Sequence, residues 1–241
     1  MNEYSILANY YDKFTHKDCD YVRWSQYLYN IANAYNAREV VELACGTGKM
    51  TTLLVERGLK IIGIDHSVDM LNVARAKCKA NFVCQDMRRF ALPHQSDMAI
   101  CVNDGVNYLT PRELQPFFCQ VAANVKLGAP FVFDVSTSYK LTQVISDNVF
   151  YWDDERETLL WSNSLKGQSV EMNLTLFEQD EKGTYRRRDE RHVQYVHRQD
   201  AIEWALLNAG FEVKEITSDY GMPLTDKSMR LTFYAVRRSS K

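Results

Sequence analysis

The stretch VVELACGTGKMT, which runs from Val40 to Thr51, decides the fold of this chain. Its apolar beginning, small-residue middle and amphipathic end predict a strand, a tight turn and a helix. Gly46 and Gly48 let the backbone turn sharply and admit a ligand where a side chain would collide. We expect the amides of this loop and of the following helix N-terminus to face that ligand.

Strand and helix patterns alternate beyond this loop. Near-continuous apolar runs are separated by helical patterns, one of them capped by Ser67 and another beginning at Pro111. The alternation predicts an α/β fold with a parallel sheet covered by helices on both faces. The predicted strands of the main sheet are 39–43, 60–64, 82–84, 98–102, 130–135, 211–217 and 230–237.

The pattern changes between residues 149 and 196, where apolar and polar side chains alternate with a period of two. We expect this segment to form an antiparallel insert of three or four strands that acts as a substrate flap. Residues 1–148 and 197–241 then form the main domain of a single fold.

The N-terminal segment has helical spacing over residues 4–14, and Asp20 is expected to cap a second helix. The first helix either packs on the core or forms a lid that holds Tyr10 and Tyr11 over a pocket.

The composition argues against several function classes. The 241 residues carry a formal net charge of −2, so bulk electrostatics do not draw the protein to nucleic acid or to anionic membranes. Six cysteines without a CxxC pair indicate reduced thiols rather than a disulfide framework or a metal site. Because we see no signal peptide or membrane span, we expect a cytoplasmic protein, either a monomer or a homodimer.

Acidic or amide residues stand at the carboxyl ends of four of the predicted strands, namely Glu42, Asp65, Asp86 and Asn103. Each alone could be a solvated loop residue. In a doubly wound sheet, however, ligands bind beyond the carboxyl ends of the strands, where these four would meet. Together they predict a binding pocket at this edge of the sheet.

The loop also discriminates between ligands. Thr51 stands where a dinucleotide-binding fingerprint has its third glycine, and Lys49–Met50 does not continue a phosphate-binding Walker loop. A carboxylate at Glu42 is awkward beside a pyrophosphate but suits a ligand that bears an ammonium group. Asp65 can accept both hydroxyls of a ribose. Asp86 can accept from an adenine amino group, with a Met87 amide and Met70 against the ring.

Three stretches carry a family resemblance: ELACGTG at 42–48, GIDHSVDML at 63–71 and QDMR at 85–88. They resemble those of class I S-adenosylmethionine-dependent methyltransferases. A longer match, which includes Tyr10–Asp12, Phe133–Val135 and the spaced residues Glu190, His192 and Gln194, is similar to small bacterial methyltransferases of the YqeM type and to aminosugar N-methyltransferases. The resemblance implies a Rossmann-like, seven-stranded, mostly parallel doubly wound sheet with an antiparallel final hairpin.

The resemblance also implies S-adenosylmethionine as the cofactor, S-adenosylhomocysteine as its product, and no metal. The cofactor-binding residues expected on this basis are Tyr11, Glu42, Ala44, Cys45, Gly46, Gly48, Asp65, His66, Met70, Asp86, Met87 and Asn103.

Residues of the insert are the candidates for contact with the acceptor. With a period of two, Arg188, Glu190 and His192 lie on one strand face, which either lines a cleft or belongs to a solvated edge strand. In the first case His192 is a base or polar clamp, while Arg188 and Glu190 orient the substrate. Tyr11, a second candidate catalytic residue, would form the opposite wall with Asn107 and Tyr108.

The function expected from this sequence is methyl transfer to a nitrogen or oxygen atom of a small-molecule acceptor. An RNA or protein methyltransferase and a non-catalytic S-adenosylmethionine-binding protein remain alternatives. A nicotinamide oxidoreductase is disfavoured by Thr51. Nucleic acid is disfavoured because acidic residues offset the arginines of 186–198, and because Asn103–Val106 lacks the Pro-Pro-aromatic motif used on flat amino groups of bases.

Overall fold

A computed structural model describes residues 8, 10–15 and 19–238. The helices in this part of the chain are α1 (Tyr11–Thr15), α2 (Tyr21–Ala34), α3 (Lys49–Glu56), α4 (Val68–Lys77), α5 (Leu114–Asn124) and α6 (Gln199–Asn208). The strands are β1 (Glu39–Leu43), β2 (Lys60–Asp65), β3 (Asn81–Cys84), β4 (Met98–Cys101), β5 (Pro130–Ser136), β6 (Val149–Asp153), β7 (Glu157–Lys166), β8 (Ser169–Gln179), β9 (Tyr185–Tyr195), β10 (Phe211–Ser218) and β11 (Arg230–Arg237). Short helical segments also occur at Gly105–Tyr108 and Lys140–Ile145.

Seven strands form the main sheet in the order β10-β11-β5-β4-β1-β2-β3. All neighbours pair in parallel except β11, which is antiparallel to both β5 and β10. This topology confirms the Rossmann-like prediction and its antiparallel final hairpin. The strand order reverses between β1 and β4, which is where doubly wound sheets bind their ligands.

Helices cover both faces of this sheet. On one face, Phe117 and Phe118 of α5 pack against Phe131 and Phe133 of β5. On the other face, Trp24 of α2 belongs to a second buried cluster, to which α3 also contributes. None of the helices in the described residues is long and apolar enough to cross a membrane.

Two predicted helix starts have different outcomes. Ser67 caps α4 as expected, since its hydroxyl accepts a hydrogen bond from the Met70 amide at 3.3 Å. The helix predicted to begin at Pro111 begins instead at Leu114. The preceding residues form a turn in which Glu113 accepts hydrogen bonds from both the amide and the hydroxyl of Thr110, each at 2.8 Å.

The insert is an antiparallel sheet with the strand order β6-β7-β8-β9, so the larger of the two expected strand numbers is correct. Val170 and Met172 of β8 pack against Leu141 and Ile145 of the helical segment after β5. The insert is therefore attached to the main sheet through this short apolar core.

Helix α1 touches both the glycine loop and the insert. Asp12 accepts a hydrogen bond from the Thr47 hydroxyl at 2.6 Å and pairs with Lys77. Lys13 pairs with Asp154 at 2.8 Å and with Glu157 at 2.9 Å. The rest of the predicted first helix, residues 4–7 and 9, lies outside the described residues. The second predicted helix is confirmed, and the Asp20 side chain caps α2.

Candidate active site

A cavity of about 440 Å³ lies where the carboxyl ends of β1, β2, β3 and β4 meet. Its wall contains most of the residues that the sequence suggested, namely Tyr11, Glu42, Ala44, Cys45, Gly46, Asp65, His66, Met70, Asp86, Met87, Asn103 and Tyr108. The cavity has the size of typical small-molecule sites, which span roughly 300–1,000 Å³.

The glycine loop bends through left-handed backbone conformations at Ala44, Gly46 and Gly48, whose φ angles are 52°, 52° and 70°. A side chain at Gly48 would place its Cβ 2.9 Å from the Cβ of Ala74 in α4. Gly48 thus allows helix α4 to pack closely; it is not among the residues that line the cavity, and its contact with the cofactor remains a prediction. Gly46 has open space around it and lies on the wall.

Glu42 is the last residue but one of β1; it lines the cavity and is only 1% exposed. Its carboxylate accepts a hydrogen bond from the hydroxyl of Thr51. Burial raises the pKa of Glu42 to about 8, against which the Thr51 hydrogen bond acts. Thr51, the residue that interrupts the dinucleotide fingerprint, therefore fixes the position of the buried Glu42 side chain, and binding of a cationic ligand group by Glu42 remains a prediction.

Asp65 ends β2 and is fixed by two backbone amides. Gly46 donates to one of its carboxylate oxygens at 2.8 Å and Ser67 to the other at 2.9 Å. Each oxygen retains a lone pair, so the carboxylate can still accept two hydroxyls. Burial raises the pKa of Asp65. His66 is more than half exposed beside it, with Nδ1 3.8 Å from an Asp65 oxygen.

Asp86, after β3, is clamped by Arg88. The guanidinium Nε and Nη2 atoms lie 2.9 and 2.7 Å from the two carboxylate oxygens. This pairing lowers the pKa of Asp86, so the group is an ionised acceptor. Met70 and Met87 lie on the same wall and supply apolar surface. Contacts from Asp86, Met70 and Met87 to an adenine ring remain a prediction.

The turn after β4 has left-handed backbone at Asn103 and Asp104, with φ angles of 61° and 66°. The buried carboxylate of Asp134 holds it by accepting from both amides at 2.7 Å. Arg230 bridges Asp134 and Asp104, and Lys140 lies 3.0 Å from Asp104. Burial alone would raise the pKa of Asp104, but the two cations hold it well below its usual range.

Two tyrosines meet the amide side chain of Asn103. Its nitrogen donates to the Tyr11 hydroxyl at 2.8 Å and to the Tyr21 hydroxyl at 3.1 Å. Burial raises the pKa of both phenols well above the usual value. Both therefore stay protonated at neutral pH, so Tyr11 can donate a hydrogen bond but is not a phenolate base.

Comparisons with known sequences identify the family of this site. The sequence model of a family described as "Methyltransferase domain" matches residues 40–128, from the glycine loop to the turn before β5. A relative from Geobacillus sp. (strain WCH70) is 29% identical, over 98% of this chain and 99% of its own. YqeM from Bacillus subtilis (strain 168) is also 29% identical, over 90% of each chain. The names of both assign them to the methyltransferases and give no substrate.

A solved structure agrees with these relatives. The crystal structure of an S-adenosylmethionine-dependent methyltransferase from Clostridium acetobutylicum ATCC 824 is 28% identical to this chain. It superposes with a TM-score of 0.89 and covers 98% of this chain and 99% of its own. The chain is therefore an S-adenosylmethionine-dependent methyltransferase with the class I methyltransferase fold.

The fold of this methyltransferase extends to more distant structures. CalS10 of Micromonospora echinaspora, described as an amino pentose methyltransferase with bound S-adenosylmethionine, has a TM-score of 0.76 at 19% identity. The match covers 95% of this chain and 96% of that one. At this identity the likeness concerns the fold alone.

The insert closes one side of the methyltransferase cavity with Val193 and Tyr195 of β9. His192 and Glu190 are instead 3% and 6% exposed, with His192 Nε2 2.8 Å from a Glu190 oxygen. The His192 ring stands perpendicular to the ring of Tyr108, and their centroids are 6.0 Å apart. Tyr108 lines the cavity, so His192 lies behind the wall.

The expectation that the Arg188, Glu190 and His192 face lines a cleft is therefore corrected. Glu190 and His192 pair directly across the strands with Leu174 and Met172 of β8, and Met172 belongs to the buried cluster that this sheet forms with Leu141 and Ile145. Arg188 pairs with Glu178 at 3.1 Å. A sequence that looks polar on both faces can hide one face when the adjacent strand is apolar.

Asn107 was expected on the substrate wall but is fully buried behind it. Its side-chain nitrogen donates to the Tyr195 carbonyl at 3.0 Å, and its oxygen accepts from the Ser136 amide at 2.8 Å. Asn107 thus connects the insert to β5 and positions the strand that closes the cavity.

Sequence reasoning missed part of the wall because those residues looked like ordinary core or surface. These unpredicted wall residues are Tyr21, Thr47, Lys49, Met50, Gln85, Arg88, Val102, Gly105, Leu109, Val193 and Tyr195. Tyr21 lay within a predicted apolar helix stripe, and Val193 and Tyr195 alternate with the polar residues of β9. The signal that could have found Lys49 is its position directly after the glycine loop.

Proposed function

We propose that this methyltransferase transfers a methyl group from S-adenosylmethionine to a nitrogen or oxygen atom of a small-molecule acceptor. The observation that carries the proposal is a cavity whose wall combines strand-end carboxylates with tyrosines, one of them from the insert. We assign Glu42 and Asp65 to the cofactor end of the cavity. We assign Tyr11, Tyr108 and Tyr195 to the acceptor end.

The cofactor residues have distinct tasks in this proposal. Glu42 binds the ammonium group, Asp65 accepts the ribose hydroxyls, and Asp86 faces the adenine amino group. When bound, S-adenosylmethionine supplies a methyl group that its sulfonium already activates, so alignment and exclusion of water are the main tasks left to the protein.

The acceptor end supports a small ligand with a polar group. Tyr11 and Asn103 offer a phenol and an amide at the end of β4, and Tyr108 lies between the cavity and His192. We infer that His192 positions Tyr108, and that Tyr11 orients the acceptor through its hydroxyl. Neighbouring folds described as amino pentose and sugar N-methyltransferases support an amine of sugar size as the acceptor.

The arginines of β9 and of the segment just after the insert do not favour RNA as the acceptor. Four of them pair with carboxylates: Arg187 with Asp189, Arg188 with Glu178, Arg191 with Glu171 and Arg198 with Asp200. A cation that is already paired contributes less to phosphate binding than a free one, because the pair must be broken or shared.

We also infer that helix α1 and the insert control access to the cavity. Helix α1 acts as a lid, since Asp12 contacts the glycine loop through Thr47 while Lys13 pairs with the insert at Glu157. The insert, residues 149–196, acts as a flap that selects the acceptor.

A transfer experiment tests this function. The purified chain is incubated with S-adenosylmethionine labelled on its methyl group and with separate pools of amino sugars, other amines, hydroxylated metabolites and bulk RNA. We expect label in a small-molecule pool, and loss of transfer in the Asp65→Ala variant. Label in RNA alone, or binding of NADH in place of S-adenosylmethionine, contradicts the proposal.

A further inference from the structure

Lys49 is a cation in the wall of the cofactor cavity. The sequence analysis assigned it no role. It is the first residue of α3, directly after the glycine loop. Its ammonium nitrogen lies 4.7 Å from the centroid of the Tyr21 ring, which also lines the cavity. The negative face of a tyrosine ring attracts a cation, but it leaves ammonium hydrogens free to donate to an anion.

Ion pairing distinguishes Lys49 from the other cations near this site. Arg88, on the same wall, is shared between Asp86 at 2.7 Å and Glu113 at 2.8 Å. Lys77, on the neighbouring helix, pairs with Asp12. In the part of the chain that the structure describes, no carboxylate oxygen lies within 4.0 Å of the Lys49 ammonium.

The charge of the wall makes this ammonium important for an amino-acid ligand. Glu42 and Asp65 face the cavity, and Glu42 ionises when a ligand ammonium binds, so a ligand carboxylate beside them is repelled unless a cation meets it. S-Adenosylmethionine carries an ammonium group and a carboxylate on the same carbon atom. Glu42 suits the first group but opposes the second, so a cation on the same wall would favour binding of the carboxylate.

The positions of Glu42 and Lys49 in the chain meet this requirement. Glu42 lies before the glycine loop and Lys49 lies after it, so the chain reversal places both on the wall of the same cavity. We propose that Lys49 binds the α-carboxylate of S-adenosylmethionine and S-adenosylhomocysteine, and that with Glu42 it selects ligands with a zwitterionic amino-acid end. The inference rests on the proposed function of this cavity.

Tyr21 has a defined part in this arrangement. It holds the Lys49 ammonium over its ring, while its own hydroxyl accepts a hydrogen bond from Asn103. The lysine side chain is therefore positioned along the wall before a ligand arrives, which reduces the conformational entropy lost on binding.

Truncated ligands isolate the carboxylate contact. Calorimetry on the full chain compares S-adenosylhomocysteine, decarboxylated S-adenosylmethionine and 5′-methylthioadenosine, which lacks the whole amino-acid end. We expect Lys49→Met to weaken binding of S-adenosylhomocysteine by about tenfold or more, as for the loss of a charge-assisted hydrogen bond. The affinities for the two ligands without a carboxylate should change by less than about twofold on the same scale.

Three variants serve as controls. Lys49→Arg keeps the cation and should keep most of the affinity for S-adenosylhomocysteine. Lys79→Met removes an exposed lysine just beyond α4 and should alter binding of none of the three ligands. Glu42→Gln removes the partner of the ammonium group. It should therefore weaken the binding of S-adenosylhomocysteine and of decarboxylated S-adenosylmethionine, which both carry an amine.

The outcomes separate this inference from the function on which it rests. An equal loss for S-adenosylhomocysteine and for decarboxylated S-adenosylmethionine in Lys49→Met overturns the carboxylate assignment, as does no loss for either. A wild-type chain that binds none of the three ligands contradicts the proposed function itself. Retention of affinity in Lys49→Arg, together with a selective loss in Lys49→Met, supports the assignment even where methyl transfer has not been measured.

Discussion

The cofactor cavity and strand β9 of the insert are both rich in charge, but they hold it by different means. In the cavity, Asp65 is buried and accepts hydrogen bonds from two backbone amides at 2.8 and 2.9 Å. On the outer face of β9, the side chains of Arg187 and Arg191 are each 63% exposed and pair with carboxylates of nearby residues. Backbone amides fix the position of a buried carboxylate, because the fold fixes the backbone. An exposed ion pair joins two mobile side chains and fixes neither relative to the fold.

The fixed charges at the cavity are suited to binding a ligand, whereas the exposed ion pairs of β9 are suited to keeping the sheet surface solvated. The turn of Asn103 and Asp104, which carries a cavity residue, is held by Asp134 and Arg230 from two other strands. Along the outer face of β9, Arg187 pairs instead with Asp189 of the same strand. We expect substitutions in the first region to alter stability and cofactor binding, and those in the second to alter neither.

The largest expected effect follows from removing Arg230. Arg230→Met leaves the buried carboxylates of Asp104 and Asp134 without their shared cation, so the free energy of unfolding should fall by about 3–5 kcal/mol. Urea denaturation measures the change. The matched control, Arg187→Met, removes an exposed pair and should leave the unfolding midpoint unchanged. Equal losses in the two variants would show that burial does not separate the regions.

Removing the carboxylate of Asp65 should have the next largest effect. Asp65→Ala deletes the acceptor at the end of β2, so binding of S-adenosylhomocysteine should weaken by about 1–3 kcal/mol in calorimetry. Asp189→Ala removes a carboxylate from the exposed face of β9 and should leave that affinity unaltered. A comparable loss in Asp189→Ala would contradict the division between the regions.

The cavity should also respond to pH through Glu42, whose pKa is raised to about 8 by burial. At neutral pH the free protein holds this group mostly protonated, while a ligand ammonium favours the ionised form, so binding releases a proton. Affinity for S-adenosylhomocysteine should therefore rise with pH by up to about tenfold per unit, or about 1.4 kcal/mol, and level off above about pH 8.

Calorimetry across this pH range in two buffers of different ionisation enthalpy measures both the slope and the protons released. Glu42→Gln should abolish the slope, since it has no carboxyl group to titrate. A wild-type affinity that is constant with pH would show that Glu42 is already ionised in the free protein.

The smallest expected effect concerns the buried face of β9. His192→Ala removes the ring that packs against Tyr108, so turnover should fall by about tenfold or less while cofactor affinity stays nearly intact. Gln194→Ala is the matched control, because Gln194 is buried on the same face next along the strand. A loss of cofactor affinity in His192→Ala would show that His192 supports the cofactor site and not the acceptor site. An equal fall of turnover in Gln194→Ala would show that His192 contributes only packing.

Much of the fold was predictable because local patterns fixed it. The strand and helix alternation gave the strands of the main sheet to within about one or two residues, the usual uncertainty of element ends. The four strand-end residues Glu42, Asp65, Asp86 and Asn103 were predictable as one site, since parallel strands bring their carboxyl ends to one edge.

For the insert, the strands could be predicted from the sequence, but the face of β9 that is buried could not. Its period of two predicted antiparallel strands correctly, but the period is the same for either face of a strand. Which face of β9 would be buried depended on the apolar residues of β8 and on Leu141 after β5. For this reason Val193 and Tyr195, rather than Glu190 and His192, form the cavity wall.

Local patterns were enough to predict the glycine loop, the parallel sheet and the carboxylates at its edge, because each depends on residues within a short distance along the chain. The groups that hold the site in place became visible only in the folded protein. Asp134 and Arg230 are 96 residues apart, and Tyr11 is 92 residues from Asn103. Contacts over such separations leave no periodic signal in a single sequence, because they arise when strands and helices pack into one core.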